Sequence, residues 1–237
     1  MTAIWHDLEC GSYAADLPLW RTLAAEHGDP VLEIGAGTGR VAVDLARRGH
    51  RVTALDNDAA LLAELSRRAD GLDVPTVLAD ARTFELEERF ATCLVPMQTI
   101  QLLGGQEGRR AFLERARRHL HGGGVLAAAI ASQLEAYDLS DGGPGLVPDM
   151  CERDGVVYAS HPTAIRADGD GFVLERRRET VAPDGRRTVE ANTVKLARVL
   201  PAELEREGAE AGLQGAGRAT IAATEDYSGS EVVILRA

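Results

Sequence analysis

Lysine is nearly missing from this chain: Lys195 is its sole example, so almost all of the basic charge is arginine. That imbalance reads as coding bias in a GC-rich genome and carries no mechanism. Cysteine is scarce too. Cys10, Cys93 and Cys151 are an odd number at unrelated spacings, which points to neither a disulfide framework nor a zinc site, so no metal is expected. No stretch reaches the roughly 18 apolar residues of a membrane span, and residues 1–20 carry acids where a signal peptide carries bases. A cytoplasmic protein with no membrane partner is the expectation. Bases are also outnumbered, 26 against 37 acids, and the net charge of −11 works against nucleic acid, whose affinity comes largely from clustered bases neutralising phosphates.

What is present is an ordinary globular composition, 45% hydrophobic and 27% charged, which argues against long disorder. A chain of 237 residues fits one α/β domain, here taken as 1–237. No internal repeat or low-complexity tract interrupts it. Apolar runs at 30–34, 51–55, 74–78, 91–95 and 124–131 read as buried strands. Helical patterns fall between them at 41–48, 59–69 and 109–120, the last running into His121 and three glycines that would stop it. Strands joined by helices in this order mean right-handed crossovers and a parallel sheet. Near residue 135 the texture becomes strand-rich. Residues 156–200, with a turn at Pro183-Asp184-Gly185, suggest antiparallel strands forming an insertion or cap over about 140–195. A proline-started helix at 201–212 and two closing strands, near 218–223 and 231–236, complete the reading.

The segment VLEIGAGTGR, residues 31–40, places Gly35, Gly37 and Gly39 directly after a buried strand and before a helix. Glycines here let the backbone turn sharply and let a ligand lie against main-chain atoms. Dinucleotide sites use the same arrangement, so the loop alone is weak evidence. Two details separate the readings. The dinucleotide fingerprint needs its third glycine where Arg40 stands. Glu33, at the strand end, would repel a pyrophosphate but suits an ammonium or sulfonium. A P-loop is excluded because no Gly-Lys-Ser/Thr follows. The second strand ends at Asp56, about 20 residues beyond the loop, where a carboxylate accepts from ribose hydroxyls. The third ends at Asp80, placed to accept from an adenine amino group while the Ala81 N–H donates to the ring.

The loop, Asp56 and Asp80 resemble the first three motifs of class I S-adenosylmethionine-dependent methyltransferases, and the likeness covers most of the chain. Within that family it is nearest to small-molecule N-methyltransferases of the glycine and amino-sugar type. It implies a Rossmann-like three-layer sandwich with a seven-stranded, mostly parallel sheet, its last strand antiparallel, plus the antiparallel β cap and N-terminal lid helices within 1–28. It implies S-adenosyl-L-methionine as cofactor, with Glu33 at the methionine end, Gly35, Ala36 and Gly37 beneath it, and Asp56 with its neighbour Asn57 at the ribose. Asp80 and Ala81 would read adenine. Tyr13 in the lid and Arg40 are candidates for the methionine end, and Pro96 and Met97 for the methyl end.

Methyl transfer is an in-line displacement that chiefly requires alignment of a nucleophile and exclusion of water. The residues after the fourth strand, 95–101, lack the Asn/Asp-Pro-Pro-Tyr/Phe of enzymes that methylate bases and protein amides. The strand lacks the acid often found in the family, and Leu102 replaces a histidine that some members carry. Catalytic candidates are therefore few: Gln98 and Gln101, which are as readily local structural partners, and His161, which a cap strand would hang over the site unless it is a turn residue before Pro162. The arginine runs at 176–178 and 186–187 would attract an anionic substrate or a second subunit, or form a solvated hairpin face, so a homodimer through the β insertion is an open expectation. The reading is a methyltransferase acting on N or O of a small molecule. Its rivals are a non-catalytic module that binds the same cofactor and a nicotinamide-dependent oxidoreductase. Replacing Asp56 with alanine is expected to weaken S-adenosylmethionine binding by about 1–3 kcal/mol, the range for hydrogen bonds to a charged group; an unchanged dissociation constant would place the ribose elsewhere.

Overall fold

The computed structural model describes residues 2–131, 134–139, 146–225 and 227–237. Two N-terminal helices, α1 (Thr2–His6) and α2 (Leu17–His27), are separated by a π-helical turn, Asp7–Gly11. Then follow β1 (Val31–Ile34), α3 (Arg40–Arg47), β2 (Val52–Asp56), α4 (Ala59–Arg68), β3 (Thr76–Leu78) and β4 (Phe90–Val95). A 3-10 turn, Thr99–Leu102, leads into α5 (Gly105–His119) and β5 (Leu120–Ile130). The strand-rich block holds β6 (Tyr137–Asp138), β7 (Asp149–Arg153), β8 (Val156–Asp168), β9 (Gly171–Val181) and β10 (Arg187–Ala197). The chain closes with α6 (Pro201–Glu210), β11 (Gln214–Ile221) and β12 (Ser230–Arg236).

Seven strands form one sheet in the order β11-β12-β5-β4-β1-β2-β3. β1 pairs parallel with both β2 and β4, whereas β12 runs antiparallel to both its neighbours, β5 and β11. This is the mostly parallel seven-stranded sheet that the sequence resemblance implies. Strands buried on both faces need continuous apolar runs, and β4 and β5 provide them. One core cluster contains Trp20, Leu45, Leu65 and Val232, and a second contains Leu32, Phe112, Leu126 and Leu204. These are the two faces of a three-layer sandwich, with α2, α3 and α4 on one side and α5 and α6 on the other. Local chemistry marks the helix starts. The Asp58 carboxylate accepts from the Ala60 and Leu61 N–H groups at the start of α4, and Glu203 accepts from the Leu200 N–H at the start of α6, satisfying donors that have no intrahelical partner.

Several boundaries differ from the sequence expectation. The fifth helix starts at Gly105, after Gly104 in a left-handed conformation, and it ends at His119. The three glycines after His121 do not follow a helix stop: they lie within β5, which begins at Leu120 and pairs with Phe90. The strand-rich sheet runs from Tyr137 to Ala197, beyond both expected limits, and the expected start at 140–145 lies outside the described residues. Pro162 is not in a turn. It sits in β8 at a register shift between Pro162 and Ala164, where a residue without an N–H is tolerated.

The antiparallel sheet, order β10-β9-β8-β6 with β7 beside β8, docks on the N-terminal segment. Trp5 meets Tyr158 edge to face at 5.4 Å, and Glu9 accepts from Ser160 at 2.7 Å and from both forks of Arg178 at 2.8 and 2.7 Å. Among the described residues no helix is long and apolar enough to cross a membrane. On the far side of the main sheet, α5 is joined to α6 by a buried fork, Arg109 to Glu207, at 2.8 and 2.7 Å. Breaking a buried pair by removing one partner strands the other charge. Glu207→Ala is therefore expected to lower stability by about 3–5 kcal/mol, and the apolar pair Arg109→Met with Glu207→Leu to recover most of it, as read from urea denaturation midpoints.

Candidate active site

In an open α/β sheet, ligands bind outside the carboxyl ends of the strands where the strand order reverses. Here that point lies between β1 and β4, and the glycine loop leaves β1 beside it. Gly35 and Gly37 have φ of +69° and +57°, a region that L side chains rarely adopt. Space is a second constraint: a Cβ on Gly35 would lie 2.6 Å from the Thr99 side chain, and one on Gly37 would lie 2.5 Å from the His6 imidazole. His6 thus covers the loop from α1. Burial lowers its pKa, against the pull of Asp7 and Asp56.

The three strand-end acids occupy one edge but differ in surroundings. Glu33 is 2% exposed, and its Oε2 has no hydrogen-bond partner among the described residues. Burial pushes its carboxyl up to about 8, with Arg40 and the Ala42 backbone pulling the other way. Asp56 is committed to the backbone, accepting from the Gly37 N–H at 2.8 Å and the Asp58 N–H at 2.9 Å. It therefore shapes the loop as well as facing the crevice. Asp80 is half-buried and held by Arg82 at 2.5 to 3.1 Å, which keeps its carboxyl below the usual range. Ala36 and Ala81 are buried, whereas Asn57 is exposed.

Arg40 is not a free cation. Its guanidinium forks onto the fully buried Asp16 at 2.5 and 2.7 Å and donates to the Tyr13 carbonyl at 2.9 Å. Tyr13 is 5% exposed, and its hydroxyl is buried without a partner among the described residues. With Met97, Gln98, Tyr227, Ser228 and Ser230 it lines a narrow cleft. Met97 follows the buried Pro96 with φ of +53°, a conformation uncommon outside glycine that collects at functional sites.

Of the candidate catalytic residues, only Gln98 lies in this cleft. Gln101 is corrected to a structural role: it is 1% exposed, accepts from the Ala131 N–H at 2.9 Å and donates to the Ala197 carbonyl at 3.2 Å, tying the 3-10 turn to β5 and β10. His161 stands in mid-strand, 3.8 Å from Glu179. Alternation along β8 turns it away from the face on which Tyr158 and Ser160 meet the N-terminal segment. Four of the five arginines in the two runs are also spoken for. Arg176 pairs with Asp149, Arg178 with Glu9, and both Arg177 and Arg187 with Glu179, so these four do not form the open cationic surface that an anionic substrate would need.

Residues 31–124 match the sequence model of a methyltransferase domain. A ribosomal RNA small subunit methyltransferase A from Deinococcus radiodurans is 44% identical over 61 residues, covering 26% of this chain and 21% of that protein. The cypemycin N-terminal methyltransferase of a Streptomyces species is 34% identical over 98 residues, covering 41% and 40%. The chain spans less than half the length of these curated relatives. A broader likeness is structural: CalS10, an amino pentose methyltransferase of Micromonospora echinaspora solved with SAM bound, superposes with a TM-score of 0.71 at 22% identity over 96% of this chain and 93% of that one. The matched domain contains Glu33, Gly35, Gly37, Asp56 and Asp80, while His6, Tyr13 and Tyr227 approach it from outside.

Sequence reasoning missed His6, Thr38 and Tyr227. No spacing rule joins residues so far apart, and a lone Tyr near the end of the chain carries no motif. Glu33 generates a pH dependence. Its folded pKa of about 8 lies above the ordinary unfolded value near ~4.3, so its stabilising contribution is complete at low pH and is lost as pH rises through that interval. Denaturation midpoints should fall between about pH 5 and pH 8 in the native protein, and Glu33→Gln should flatten this decline.

Proposed function

We propose that the protein is an S-adenosylmethionine-dependent methyltransferase that transfers a methyl group to N or O of a small metabolite. The observation that carries this reading is Glu33: a buried carboxyl with an unpartnered oxygen, at the crevice where the strand order reverses, fits a ligand that brings an ammonium and no phosphate. The rest of the edge agrees. Gly35 and Gly37 leave main-chain atoms uncovered by any Cβ, Asp56 would take the ribose, and Asp80 with Ala81 would take adenine. The Tyr13 hydroxyl stands at the methionine end, and Arg40, held by Asp16, acts through charge beside Glu33. When bound, the cofactor supplies an electrophilic methyl carbon on a positive sulfur.

What the chain itself must do is align and dehydrate. The N-terminal segment lies over the loop through His6 and is latched by Asp7 to Thr38 at 2.6 Å and to Arg68. Met97 turns the backbone after β4 so that Gln98 faces the cleft. The net charge of −11 supports a small-molecule acceptor over RNA, whose phosphates need clustered free bases. A nicotinamide reading is disfavoured by Glu33, which would face the pyrophosphate.

Isothermal titration with S-adenosylhomocysteine at pH 7 in two buffers of different ionisation enthalpy is the direct test. Binding of its ammonium should ionise Glu33 and release a proton, a buffer dependence that Glu33→Gln abolishes. Binding without proton release would remove Glu33 from the methionine end, and binding of NAD(H) in its place would overturn the reading. Labelled methyl transfer to a panel of small amines and alcohols then separates an enzyme from a module that only binds, for which cofactor would bind tightly with no transfer.

A further inference from the structure

The turn between β11 and β12 brings Tyr227 back to the carboxyl edge of the main sheet, beside the point where β12 begins at Ser230. Its ring meets that of Tyr13 at 4.8 Å between centroids, with planes inclined at 46°, and both line the cleft with Met97 and Gln98. Its hydroxyl is 2.8 Å from the Ser12 Oγ, which ties the terminal turn to the N-terminal segment and fixes the ring's orientation. Ser12 also borders a larger outer cleft between that segment and β7, so the Ser12–Tyr227 hydrogen bond joins residues of the two clefts.

The chemistry of the inner cleft favours one kind of nucleophile. Among the described residues its lining has two aromatic rings, an amide, a thioether and two serine hydroxyls, with neither imidazole nor carboxylate. An alcohol must lose its proton as it attacks, which needs a base. A neutral amine needs none. Its nitrogen lone pair forms the N–C bond while the C–S bond breaks and leaves its electron pair on sulfur. The positive charge thereby moves from sulfur to nitrogen, and the N–H proton departs to water afterwards. Aromatic faces attract a cation through their quadrupole; the Tyr13 ring already has the Arg40 guanidinium 5.2 Å from its centroid, so the Tyr227 ring is the one that stabilises the charge as it arrives on nitrogen.

We propose that Tyr227 is an acceptor-binding residue: its ring, packed against Tyr13, is an aromatic seat for the nitrogen of an amine acceptor, and so selects amines over alcohols. This rests on the methyltransferase reading above. Sinefungin, in which a carbon bearing an amine replaces the methylated sulfur, puts a cation close to this seat, whereas S-adenosylhomocysteine does not. Affinities of both ligands should be measured for the native protein, Tyr227→Ala and Tyr227→Phe. Removing the ring is expected to weaken sinefungin about five- to tenfold, within the range of a cation–π contact, and to change S-adenosylhomocysteine by less than about twofold. Tyr227→Phe, which keeps the ring, should retain most of the sinefungin affinity. Equal weakening of both ligands by Tyr227→Ala would make the residue structural, and no change in either would place the nitrogen elsewhere; both results overturn the proposal. Failure of the native protein to bind either ligand would instead overturn the cofactor reading on which it rests.

Discussion

The buried pair of Asp16 and Arg40 is the constraint on which the rest of the site depends. Asp16 is fully buried, and burying a carboxylate is costly unless it is paired and hydrogen-bonded. It has three donors: two from Arg40 and the Trp20 indole N–H at 2.8 Å. That set joins the start of α2 to the start of α3. Through the Arg40 bond to the Tyr13 carbonyl, it also holds the chain between the first two helices against the glycine loop. Arg40 in turn lies near enough to Glu33 to oppose its neutralisation, so loop, lid and strand end share one electrostatic centre.

A second set of contacts carries this order outward. Asp7 bonds to Thr38 and Arg68, while Glu9 bonds to Ser160 and Arg178. The N-terminal segment is thus a strap between the nucleotide-type loop and the antiparallel sheet. Its acids point to both sides, and of the arginines that sequence inspection had left open for a ligand, Arg178 and Arg176 face Glu9 of this strap while Arg177 and Arg187 pair with Glu179 within the sheet. These pairs are partly buried, so solvent screens them less than isolated surface pairs. The consequence for function is geometric. The N-terminal segment lies over the glycine loop and is anchored at several points, which would serve the proposed methyl transfer, whose main needs are alignment and exclusion of water.

The parallel sheet, its crossovers and the acids at three strand ends were legible in the sequence because each is a local pattern: an apolar run, a helical period, a glycine cluster, a carboxylate at the last position of a strand. The glycine triplet after His121 misled for the same reason. A glycine-rich stretch signals a stop, and only pairing with Phe90 shows that the backbone continues as β5. Gln101 and Arg40 were legible as polar residues in suggestive places, but their bonds go to Ala131, Ala197 and Asp16, partners that residue spacing cannot supply.

By itself, then, the order of residues determined the fold class and the chemistry of the crevice edge, since hydrophobic period and strand-end acids act over a few residues at a time. Tertiary structure decided which polar groups remain available. Hydrogen bonding is saturable and burial is a property of the packed whole, so Arg40, Gln101 and four cap arginines were spent on the protein. Glu33 and Tyr13 each keep a buried polar atom with no partner among the described residues, and Tyr227 reaches the cleft only because β12 folds back beside β5.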